Sequence, residues 1–233
     1  MILHYKSWRA KNYWDNKYPK KIIHYLGRTL ANKPTARIPV PVQVFVTPYD
    51  SVIRRDIEDN NLQVPDPYKI NEHVIKIFRH TRNKPLNPYH YEHDNHQFNI
   101  DELWLFPYEL RHAGKGDCDD WGAELASYYI AAGIPRWRVR VVVGTCRLGG
   151  HFTVYVLADD FKTWYHTNST DSQVRVDNLT QLPKTDAHND DFGITKVWFS
   201  FNDHWAWHGF NPEITEEMKK WDVEVQEEEL KKA

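Results

Sequence analysis

The chain has 233 residues, of which 41% are hydrophobic and 27% charged, with a formal net charge of −2. That length suits one domain with extensions, and the apolar share is enough for a core. The near-neutral balance argues against nucleic acid as a partner. Two cysteines exclude a disulfide framework, and no run of about 18 apolar residues offers a transmembrane helix, so no membrane partner is expected.

Charge is nonetheless uneven. Residues 1–39 carry nine Lys/Arg and one acid, Asp15, whereas residues 212–233 carry eight acids and four lysines. Such asymmetry marks either a docking segment or simply solvated faces. The opening Met1-Ile2-Leu3-His4-Tyr5-Lys6 has no apolar core of a signal peptide, so a cytoplasmic location is expected. The sequons at Asn168 and Asn178 then carry little weight as glycosylation sites.

In chain order, residues 1–39 read as a basic, aromatic arm with a short helix around Pro19–Leu30. Pro39, Pro41 and Pro48 bracket a predicted strand, Val42–Val46. Asp50–Asn60 begins helically, and Pro65-Asp66-Pro67 breaks the chain. Lys69–His80 is an amphipathic helix with Ile70, Val74, Ile77 and Phe78 at helical spacing. Asn83–Gln97 reads as a long loop, and Asp101–Leu110 as a short helix or turn carrying Trp104.

A helix is predicted from Cys118. Asp117 is its N-cap, and Asp119 and Asp120 lie in its first turn, where acids suit the dipole. Gly133 and Pro135 stop it. Trp121, Leu125, Tyr128, Tyr129 and Ala132 form one apolar face, and much of the remainder is apolar too, which predicts a buried helix. Strands follow at Arg138–Val143, His151–Leu157, Thr163–Thr167 and Lys196–Phe201, with a turn at Ala158-Asp159-Asp160. One central helix followed by antiparallel strands is an α+β pattern. From Asn211 (N-cap) and Pro212 (N1) the acidic tail reads as helical.

The chemistry concentrates at Gly116-Asp117-Cys118-Asp119-Asp120-Trp121. A thiol at a helix N-terminus meets N–H groups and partial positive charge that favour the thiolate. Nearby carboxylates oppose this, although side chains one and two residues on point away from Cys118. Gly149-Gly150-His151 comes 33 residues after Cys118, and Asn168 lies 17 residues beyond His151. A nucleophile, a base and a residue that orients the base make a Cys–His–Asn grouping, with the Cys118 backbone N–H as an oxyanion donor.

These residues carry a resemblance. Glu102…Trp104…Gly-Asp-Cys118-Asp-Asp-Trp, Gly133-Ile134-Pro135, Arg138-Val139-Arg140, Gly149-Gly150-His151 and Trp164…Asn168 resemble the transglutaminase-like superfamily, above all its bacterial and bacteriophage cysteine peptidases. The specific motifs cover residues 101–170, and the general pattern covers 40–210. The resemblance implies a papain-like fold with a buried helix packed on an antiparallel sheet. It also implies Cys118 as nucleophile and His151 as base. The family usually has Asp where this chain has Asn168. Papain-like enzymes use Asn there, and His166 and Asp171 are alternatives for that third role. Trp104, Trp121 and Gly150 are candidate substrate contacts, with Trp104 also a candidate oxyanion donor.

The expected organisation is an arm at 1–39, a peptidase domain at 40–210 and an acidic helical tail at 211–233. The expected function is hydrolysis of an amide bond in a peptide or protein through an acyl-enzyme, with no cofactor. The phage relatives suggest a virion setting in which arm and tail contact a protein partner. Alternatives are a structural virion or interaction protein with little turnover, a transglutaminase, and a cell-wall amidase. His90, His93 and His96 with Asp94 have a spacing that matches no common zinc pattern and read as a polar loop, so no metal is expected. Cys146 reads as a bystander. Trp198, Trp205 and Trp207 with His204 and His208 form an aromatic cluster, read as core and groove-wall packing or as a stacking surface.

Overall fold

The computed structural model describes residues 20–24, 37–82, 90–99, 102–168, 170, 174–184 and 193–230. Two strands, β1 (Lys20–His24) and β2 (Arg37–Pro41), pair antiparallel from Lys20↔Pro41 to His24↔Arg37. The helix expected around Pro19–Leu30 is thus replaced by strand over residues 20–24, where the β-favouring Ile22-Ile23 pairs with Ile38-Pro39. The rest of that segment lies outside the described residues, as does most of the arm. Val42–Phe45 is a 3₁₀ turn, not the strand expected there. Its β-branched residues have no strand to pair with among the described residues, and Pro41 enters the turn at its usual φ, −57°.

Helix α1 (Ser51–Asp59) is capped by Asp50, which accepts from the N–H groups of Val52 and Ile53. In α2 (Asn71–Arg82), Val74, Ile77 and Phe78 are buried, as is Ile70 just before it, as their spacing requires. A four-residue α3 (Asp94–Gln97) interrupts the expected loop. The next helix, α4 (Pro107–Ala113), begins later than expected, because Pro107 suits a first helical position and Glu109 folds back onto the Phe106 N–H.

The centre of the molecule is α5 (Cys118–Ala131), buried almost throughout. It ends in a Schellman motif. Gly133 adopts φ +102°, its N–H donates to Ile130, and the Ile134 N–H donates to Tyr129. A short 3₁₀ turn, Arg136–Arg138, then leads into the sheet.

Strands β3 (Val139–Cys146), β4 (Gly149–Leu157), β5 (Trp164–Thr167), β6 (Lys196–Phe201) and β7 (Ala206–His208) form one antiparallel sheet in the order β5-β4-β3-β6-β7. The α+β class holds: a buried helix packs on an antiparallel sheet. Phe152, Val154 and Val156 of β4 join Val139, Val141 and Val143 of β3 in one core with Leu125, Ala126 and Tyr129 of α5. On the opposite face, Trp137, Tyr155, Leu157 and Trp164 pack with Met218 and with Trp205, Trp207 and Phe210.

The tail helix, α6 (Glu216–Leu230), begins five residues after Asn211. Asn211 accepts from Glu213 in a local turn, and Thr215 is the cap, its hydroxyl accepting from the Met218 N–H. One face of α6 is bound to the domain. Buried Asp222 takes both the backbone N–H and the guanidinium of Arg136, which also pairs with Asp203 at 2.8 Å. Among the described residues no helix is long and apolar enough to cross a membrane.

Candidate active site

Cys118 opens α5, and the turn before it is tightly tied. Asp117 caps the helix by accepting from the Asp119 N–H, and Asp120 Oδ2 returns to accept from the Asp117 N–H at 3.1 Å. Asp120 Oδ1 takes the Leu105 N–H at 2.7 Å. Gly116 is required by this closure, since a Cβ there would overlap the Asp120 carboxylate and reach Leu110 Cδ1 at 2.7 Å. Trp121 completes the tie, its indole N–H donating to Gly116 O at 3.0 Å and to His90 O. At 1% exposure it sits in the core instead of on a groove wall, and its contribution is to hold the turn beneath Cys118.

The thiol is half-buried and lies against β4, where it takes a hydrogen bond from the Phe152 backbone N–H. His151 is the neighbouring residue. Its Nε2 is 3.2 Å from Asn168 Oδ1, so the structure joins the second and third members of the expected grouping. The same Oδ1 accepts from the Thr170 N–H at 3.1 Å and from the Thr170 hydroxyl at 2.8 Å. A backbone N–H can only donate, so the amide oxygen and not its nitrogen faces the imidazole. Oxygen accepts, so Nε2 carries the proton and Nδ1 is the basic nitrogen.

His166 and Asp171 were the other candidates for the third role. His166 is buried with its Nε2 2.7 Å from Thr153 Oγ1. Asp171 lies outside the described residues.

The thiolate expected from the helix N-terminus is not favoured here. Burial pushes the Cys118 thiol well up, and Asp117 pushes it further. The Phe152 N–H offsets part of this, while Glu102 and Asp120 add to it. Partial charges at a helix end are worth less than full carboxylate charges at close range in a desolvated site. Asp119 and Asp120, both buried, are likewise held well above the usual carboxylate range, first by burial and then by Asp117.

Trp104 is buried. Its indole N–H donates to Glu102 at 2.7 Å, so it is already engaged and not directed at an oxyanion. Its ring stands edge-on to Phe152 at 5.2 Å and to Phe45 at 5.2 Å. Trp104 therefore braces the residue whose N–H meets the thiol. Gly150 is exposed, beneath the ring of Trp198. In the sequence Glu102 is only part of a motif, and its effect on the thiol arises from the fold.

Two sets of donors are close enough to share a cation: Asp117, Cys118 and Asp119, and Asp94, Asp117 and Asp120, each within 4.8 Å. His93 and His96 join Asp94, Asn95 and Asp117 around a polar cavity of about 220 Å³. His90 contributes its carbonyl to the Trp121 and Gly116 ties. Cys146 is buried in β3 as a free thiol.

No protein-family model matches this chain, and no curated protein matches it. Among solved structures it is similar to LapG of Legionella pneumophila, with a TM-score of 0.46 and 20% identity over 78% of this chain and 92% of that one. The EGTA-treated form gives 0.48 and 18% identity over 78% and 92%. The calcium-bound form gives 0.47 and 18% identity over 79% and 97%.

Proposed function

We propose that this chain is a cysteine-dependent amide hydrolase of the transglutaminase-like kind, acting on a peptide or protein. The observation that carries the reading is the pairing of His151 Nε2 with Asn168 Oδ1, one residue from the backbone N–H that meets Cys118 Sγ. Because the resting thiol is held protonated, His151 works as a general base and not as one half of a standing ion pair.

In the first step Cys118 Sγ attacks the amide carbonyl carbon while its proton passes to His151 Nδ1. The carbonyl oxygen becomes an oxyanion facing the Cys118 N–H at the helix N-terminus. The C–N bond then breaks, Nδ1 returns the proton to the leaving amine, and a thioester remains. Water attacks the thioester, giving a proton to Nδ1 and releasing the acid. Sγ leaves and recovers that proton. A primary amine in place of water would give transfer, and a cell-wall peptide would serve the same chemistry as substrate.

A second reading is a binding protein that keeps the fold without turnover, favoured by the strongly raised thiol. The bacteriophage and virion setting, and with it the docking role of arm and tail, rests on sequence resemblance and end charges alone. The test is release of acid-soluble fragments from labelled casein by wild type, Cys118→Ala and His151→Ala. Hydrolysis by wild type that both variants abolish is expected. Equal or absent hydrolysis in all three sinks the enzyme reading, and incorporation of a labelled amine in place of fragment release identifies transfer.

A further inference from the structure

Trp198 is 49% exposed although Ser200 and Phe201, further along the same strand, are fully buried. The β3–β6 register explains this. It steps from Val143↔Phe199 to Gly144↔Val197, leaving Trp198 as the extra residue of a bulge. A bulge re-aims one side chain out of the ladder. The re-aimed indole is not loose. Its N–H donates to Thr145 Oγ1 at 3.0 Å, and its ring lies over Gly150, where a Cβ would stand 3.4 Å from Cη2.

Thr145 and Gly150 are direct partners across β3 and β4, and Gly150 precedes His151 and Phe152. The ring therefore covers the strand just before the residues that meet the thiol and Asn168. Gly149 and Gly150 are exposed, as is Leu148, at 61%, in the hairpin turn before them. With its N–H already used on Thr145, the indole offers a partner only its apolar face and edge.

We propose that Trp198 determines specificity: its ring, above the side-chain-free Gly150, receives an aromatic or large aliphatic side chain of the peptide beside the attacked amide. This rests on the amide-hydrolase reading, and its test separates the two. Tripeptidyl chloromethyl ketones, an all-alanine parent and three with Phe at successive positions, are reacted with wild type, Trp198→Ala and Trp198→Phe. Alkylation of Cys118 is followed by mass. In parallel a mixed peptide library is digested and its cut sites are read on both sides of the bond.

Phe at one position should speed wild-type labelling roughly tenfold over the parent. Trp198→Ala should erase that gain and Trp198→Phe keep most of it, while iodoacetamide, which reads the thiol alone, labels all three alike. If the library is not cut but the Trp198-dependent preference stands, hydrolysis fails and the wall remains. If neither reagents nor cut sites show a large apolar preference that Trp198→Ala removes, the proposal is overturned.

Discussion

Asn168 Oδ1 lies 3.2 Å from His151 Nε2 and is held in that orientation by Thr170, whose N–H donates to the same oxygen. An acceptor without charge fixes the tautomer but gives the imidazolium little stabilisation. Asn168→Ala should therefore lower kcat/KM roughly 100-fold by freeing the ring. Asn168→Asp keeps an acceptor and adds a negative charge, which raises the imidazole pKa. The neutral base then forms later, and the acidic limb of the kcat/KM profile should move up by about one pH unit. An unmoved limb would mean that Asn168 does not face the working base.

The same charge logic applies to the thiol with the opposite sign. Asp117 raises the Cys118 pKa by repelling the thiolate. Asp117→Asn removes the charge yet keeps a good N-cap. Iodoacetamide labelling of Cys118 at pH 7 should rise about 3- to 10-fold, since one unit of pKa is a factor of ten in thiolate. In wild type the rate should climb through pH 9 without a plateau. A plateau near neutrality would contradict a raised thiol.

Gly116 is where fold and site share one constraint. The Asp120 carboxylate that closes on the Asp117 N–H leaves no space for a Cβ at 116. Gly116→Ala should cost about 1–3 kcal/mol, the usual penalty of overpacking. For a chain of this size that lowers Tm by roughly 2–4 °C per kcal/mol. Gly149→Ala is the contrast. Its φ of +131° strains a side chain, but nothing stands within 4 Å, so its cost is conformational alone.

What the sequence made legible follows from how local each signal is. The Asp117 cap, the Gly133 stop and the β-branched run of β3 act within a few residues, and the elements they specify are present. The His151–Asn168 pairing was legible for the same reason, through motifs at the ends of such elements. Strand β7 was not, because Ala206-Trp207-His208 is a strand only by pairing with β6. Val42–Phe45 is a turn despite its β propensity because it meets no partner strand among the described residues. Trp104 and Trp121 were expected to face substrate, and only tertiary packing shows each indole N–H committed to Glu102 or to Gly116. The thiol's raised pKa comes first from burial and then from Asp117, with Glu102, 16 residues away in sequence, adding to it.

Two arginines of the β3 entry give the last expectation. Arg138 is buried but compensated, reaching Asp159 at 2.8 Å, Pro67 O at 2.7 Å and Leu157 O at 2.9 Å. Arg140 is equally buried, with no acid beside it among the described residues. Its Nη1 donates to Trp137 and Val139 carbonyls, and its guanidinium lies 3.7 Å from the Trp207 ring centroid and 5.2 Å from that of Trp164. Burial alone pushes Arg140 down to about 9. Arg138→Met breaks the pair with part-exposed Asp159, strips the Pro67 and Leu157 carbonyls of their donor, and should cost about 3 kcal/mol. Arg140→Met removes an uncompensated buried charge and should cost less than about 1 kcal/mol or stabilise, because the lost cation–π contact is offset by the lost desolvation. A guanidinium keeps its proton even when buried, so the charge and its contacts to the two rings persist across the ordinary pH range. Urea unfolding of wild type, Arg138→Met and Arg140→Met at pH 7 checks both values. A loss in Arg140→Met as large as that in Arg138→Met would place the Arg140 charge in a compensated site after all.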